Sequence, residues 1–124
     1  MVHSVRHIPP LAAAVLATLL ALCCATATRQ AAYVAPSYET IVADPEESAD
    51  RVHQDFFIAN HSTVPVVITS FQLTDCENVA GLCGARHMRI LVSPGQRVLV
   101  ATIGPEDRSR PYNFRYSWTW DVVH

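Results

Sequence analysis

The sequence predicts an all-β protein, a small antiparallel β-sandwich of five to seven strands, on three observations. In Tyr112–Asp121, YNFRYSWTWD, the residues Tyr112, Phe114, Tyr116, Trp118 and Trp120 fall at every second position and polar residues fill the gaps. A strand sends alternate side chains to opposite faces, so all these rings share one face, which a helical period cannot achieve. Apolar runs bounded by Gly, Pro, Asn and Ser recur at intervals of about 8 to 12 residues, the rhythm of short strands joined by turns. After residue 30 no stretch carries helical periodicity.

The expected layout is a signal peptide over 1–27, a polar linker with a possible edge strand over 28–51, and the β-sandwich domain over 52–124. In the leader, Arg6 and the amino terminus supply positive charge. Leu11 to Leu22 is apolar, and Ala25-Thr26-Ala27 matches the small-x-small cleavage pattern. The apolar run is shorter than the roughly 20 residues a membrane span needs, so cleavage after Ala27 is the first expectation. The protein is then secreted or periplasmic. A membrane is expected as a partner only if the leader stays as an uncleaved anchor or is lipidated at Cys23 or Cys24.

Within 28–51, Tyr38 to Ala43 is the candidate edge strand. DPEESAD, Asp44 to Asp50, has no apolar residue larger than Ala49 and is expected to be a solvated loop or tether, because it offers little burial to offset ordering. His53–Ala59 is the next strand, and Asn60 to Thr63 form a turn. From Val66 to Thr74 the apolar positions change phase between Val66/Ile68 and Phe71/Leu73, which predicts a bulge near Thr69 and Ser70. Asp75–Arg86 reads as a Gly-containing loop and Met88–Val92 as a strand. Ser93-Pro94-Gly95-Gln96 is a turn, with Pro fixing φ and Gly supplying positive φ. Arg97–Ile103 returns antiparallel, and the charged loop Gly104–Pro111 leads into the aromatic strand.

Asn60-His61-Ser62, Pro65-Val66-Val67-Ile68, Cys76 after that strand and Pro94-Gly95-Gln96 before another together resemble bacterial immunoglobulin-like modules of the abnormal-spindle (ASH) type over residues 53 to 103. The resemblance implies an immunoglobulin-like sandwich and a non-enzymatic role in an exported protein, and it transfers no functional residue. Modules of that group often carry a tight cysteine pair, whereas here Glu77 and Asn78 follow Cys76.

In an exported chain, Cys76 and Cys83 are expected to form a disulfide. Closing so short a loop stabilises the fold by about 2.5 kcal/mol on the chain-entropy model. The five aromatics of the last strand span about 26 Å, longer than a common strand, so Tyr116, Trp118 and Trp120 are candidate ligand-binding rings at an uncovered end. The competing expectation is that all five pack inside against Phe71, Leu73 and Val100. His87 and Met88 are weak metal candidates without a tight ligand motif. Asn60-His61-Ser62 also fits the N-glycosylation acceptor pattern.

The net charge of −2 speaks against nucleic acid, and no nucleophile elbow, zinc-protease motif, phosphate loop or dinucleotide fingerprint is present. The expected function is therefore an exported, non-enzymatic immunoglobulin-like module that binds or scaffolds a protein partner and uses no cofactor. The alternatives are a carbohydrate-binding module using exposed aromatics and a periplasmic metal binder.

Overall fold

Among the described residues, alternation of apolar and polar residues yields six strands: β1 (Ile41–Glu47), β2 (Gln54–Asn60), β3 (Val66–Glu77), β4 (Ala85–Val92), β5 (Arg97–Ile103) and β6 (Asn113–Val122). The computed structural model describes residues 32–81 and 83–124, so the expected signal peptide, with Cys23 and Cys24, lies outside the described residues. The strands form two three-stranded sheets, ordered β1-β2-β5 and β4-β3-β6, and every pairing is antiparallel. The described residues are thus all-β, a small β-sandwich. β1–β2 and β3–β4 are hairpin neighbours, while the connections into β3, β5 and β6 each cross between sheets.

The expected phase change in β3 is a bulge. The register of β3 shifts between Ile68 and Ser70 against both neighbours. One extra residue turns both apolar pairs to the same face. Val66, Ile68 and Phe71 are each 0% exposed and Leu73 1%. These residues divide between two packed clusters. Phe71 and Leu73 join Phe56, Ala101 and Ile103, and Val66 and Ile68 join Ile41, Ile58 and Val92.

The acidic stretch departs from expectation. β1 runs through Asp44, Pro45, Glu46 and Glu47, all paired with β2, within a compact unit that spans Tyr33–His124. Ile41 anchors the strand at 0% exposure. Arg97 of β5 reaches across the sheet to Asp44 at 2.7 Å and Glu46 at 2.6 Å, and its guanidinium lies 3.5 Å from the centroid of Phe57. Both carboxylates raise the Arg97 pKa above its ordinary value, the hydrogen bond to Glu46 most. Pro45 is accommodated because β1 is an edge strand and one side of its backbone needs no partner.

Two further boundaries move. β3 continues to Glu77 and β4 starts at Ala85, which shortens the loop expected over Asp75–Arg86, because long β6 offers pairing as far as Glu77↔Asn113. Ser93–Gln96 turns as expected, with Gly95 at φ 76° and the Gln96 amide donating to Ser93 O at 2.9 Å. The strand that follows joins the opposite sheet, where β5 pairs with β2.

Asn60 fixes this crossing. It is 1% exposed, and its Nδ2 donates to Val64 O at 2.8 Å and Val92 O at 2.9 Å. Its Oδ1 accepts from the Ser62 amide at 2.9 Å and the Ser62 hydroxyl at 2.6 Å. Its backbone carbonyl accepts from Gly95, and its amide donates to Gln96 O. A buried amide with every donor and acceptor engaged is a structural lock rather than a glycan acceptor in the folded chain.

Candidate protein-binding edge

β6 has one neighbour, β3, and its other edge is open: among the described residues no backbone group pairs with it. The Val123 amide donates to Pro65 O at 3.1 Å, so odd-numbered residues at this end turn their peptide groups toward β3. Alternation then aims the peptide groups of Phe114, Tyr116, Trp118, Trp120 and Val122 outward. Asn113 Oδ1 accepts from the Phe114 amide at 2.9 Å and closes one end of this edge.

The aromatic face lies on the sandwich interior but is only half covered, which corrects the expectation that all five rings pack inside. Tyr112, Phe114, Trp118 and Trp120 are half-buried and Tyr116 is 38% exposed. β6 is an edge strand with core on one flank only. Phe56 of β2 supports the ladder, with ring centroids 5.7 Å from Phe114 and 4.8 Å from Tyr116. Tyr112/Phe114 and Tyr116/Trp118 stack at 6.1 Å. A cleft of about 280 Å³ opens between the sheets, lined in part by Pro45, Phe56, Tyr112, Phe114 and Tyr116.

Tyr38, 64% exposed, lies against Trp118 and Trp120 at 6.2 and 5.9 Å. Trp118 Nε1 donates to Ile41 O at 3.1 Å and ties β6 to β1 of the other sheet. Trp120 Nε1 is buried without a partner among the described residues. The Tyr112 hydroxyl donates to Val52 O at 3.0 Å. Burial raises its pKa first, with Asp50 and Glu47 adding to the shift by proximity.

The remaining candidates lie elsewhere. Cys76 and Cys83 are joined as a disulfide with Cα atoms 6.1 Å apart. His87 and Met88 are consecutive on β4 and therefore face opposite ways: Met88 packs on both core clusters and His87 faces solvent. Among the described residues no three His, Cys, Asp or Glu side chains converge. Glu46 is held by Arg97. Asp107 is held by hydrogen bonds from Ser109, which lower its pKa.

Sequence reasoning found the aromatic face but missed the open edge; it placed Tyr38 in an edge strand, which begins instead at Ile41, and read Asn60 as a turn residue that fits the glycan-acceptor pattern rather than a buried lock. Pairing partners and buried hydrogen bonds depend on tertiary neighbours, and only the alternation was a local signal. No protein-family model, no curated protein and no solved structure matches this chain.

Proposed function

We propose that this chain is an exported, non-catalytic, immunoglobulin-like β-sandwich module that binds or scaffolds a protein partner, and that the partner adds an extended strand to β6. The observation that carries this reading is the open edge of β6, with its rings half covered and, among the described residues, no backbone partner on that side. A docking strand gains main-chain hydrogen bonds from such an edge and selectivity from the side chains beside it. An unprotected long edge is otherwise an aggregation hazard that proteins blunt or cover. The Cys76–Cys83 disulfide supports an oxidising compartment, as does the small-x-small leader pattern.

A sugar-stacking role is less well supported, because Tyr38 already lies against both Trp118 and Trp120. The test is a photoreactive residue placed at Ser117 in cells that make the protein. Crosslinking to a protein chain is expected there and not from exposed Arg108 in the β5–β6 loop; no crosslink from Ser117 overturns the reading.

A further inference from the structure

Resting on that reading and deepening it, we infer that the strand added to β6 is β6 of a second copy of this chain, paired antiparallel about a two-fold axis through Trp118. Two observations are compatible with this register and another, the charge pairing, selects it.

The first is backbone parity. The outward peptide groups belong to the even-numbered residues, so a hydrogen-bonded antiparallel partner of the same sequence must set even positions against even ones. An axis at Trp118 does so, placing Trp118 opposite Trp118 and Tyr116 opposite Trp120.

The second is charge. Arg115 and Asp121 are the charged residues of β6, and both lie exposed on its outer face. An axis at Trp118 sets Arg115 of each copy against Asp121 of the other. Moving the axis to Ser117 or Thr119 preserves the hydrogen-bond parity but sets each charge against an uncharged residue. In the monomer, among the described residues, Arg115 is held only by Asp75, at 3.6 Å with side chains 83% and 71% exposed.

The third is the character of the other pairs. Ser117 meets Thr119, and on the inner face Trp118 meets Trp118, Tyr116 meets Trp120 and Phe114 meets the β-branched Val122. Opposite charges, hydroxyl pairs and aromatic pairs are the cross-strand combinations that favour sheet formation. The outcome is a closed, isologous dimer with one continuous sheet, in which each copy covers the other's open edge.

Sedimentation of the intact protein tests this, with Arg115→Asp, Asp121→Arg and the double reversal, and with thermal unfolding recorded alongside to check the fold. The expected wild type is a dimer at submillimolar concentration. Each single reversal places like charges opposite each other twice and raises the dissociation constant about tenfold, and the double reversal restores it. Asp121→Arg leaves the Asp75 contact intact, so loss of the dimer there cannot come from that ion pair. A monomeric wild type, or a dimer indifferent to the single reversals, overturns the inference. If the wild type is monomeric while Ser117 crosslinks to a different protein, this inference falls and the proposed function stands; if Ser117 crosslinks to nothing, both fall.

Discussion

β3 and β6 are hydrogen-bonded neighbours in one sheet, and both turn apolar residues toward the same interior, yet they end at different depths. Val66, Ile68, Phe71 and Leu73 of β3 are at most 1% exposed, whereas the larger rings of β6 are half covered and Tyr116 is 38% exposed. Residue size does not decide the matter. β3 has a strand on each side and the second sheet beneath it; β6 has one strand and an open flank. Alternation therefore assigns a side chain to a face but not its depth: Ile41 of β1 and Val92 of β4 are 0% exposed on edge strands, whereas Tyr116 of edge strand β6 is 38% exposed. The central strand holds the fold together, and the edge strand keeps surface available for contact.

The largest expected effect comes from the centre. Phe71→Ala is expected to cost about 3 to 5 kcal/mol, since it removes a fully buried ring between Phe56 and β6, and urea unfolding measures it. Asn60→Ala tests the same interior through its polar content. It leaves Val64 O and Val92 O without their donor and is expected to cost about 2 to 3 kcal/mol by the same measurement. A cost as small as that of a surface substitution would mean the lock contributes nothing.

At the edge, Tyr116→Ala is expected to cost only about 1 to 2 kcal/mol in fold stability, because its ring is already partly in water. It is expected to weaken self-association in sedimentation more than Phe71→Leu does. A loss matching that of Phe71→Ala would erase the distinction between the strands.

The smallest effect sits at the exposed turn before β2. Asp50 accepts hydrogen bonds from the backbone amides of His53 and Val52 and also meets the His53 ring, and these lower its pKa from 3.8 to about 2. A depressed carboxylate pKa contributes stability that is present above the unfolded value and lost as pH falls through the folded one. The midpoint of thermal unfolding should therefore decline between pH 3.8 and about 2 more in the wild type than in Asp50→Asn. Equal declines would show that this turn does not couple to folding.

Much of the architecture was legible from local pattern. The β3 bulge was written in the phase change from Ile68 to Phe71, the Ser93–Gln96 turn in its Pro-Gly pair, and β6 in its alternating rings. β1 was not legible past Ala43, because Asp44 and Glu46 are neutralised by Arg97, a residue more than 50 positions away. The partner of β5 was not legible either, since a tight turn between strands says nothing about whether the chain stays in the same sheet. For the candidate site, the sequence identified the face but not its open flank, which depends on strand order.

The Asn60 lock also has a consequence for the order of events in folding. Its side chain bonds Val64 O, four residues on, and Val92 O, which lies 32 residues on at the end of the β3–β4 hairpin. The second bond cannot close until that hairpin has formed and folded back, and the backbone bonds to Gly95 and Gln96 must wait for the following turn. Contacts that form after the rate-limiting step govern how fast the native state opens rather than how fast it is reached. Asn60 is thus expected to act as a latch set late, and stopped-flow unfolding of Asn60→Ala should then show faster unfolding with the folding rate nearly unchanged.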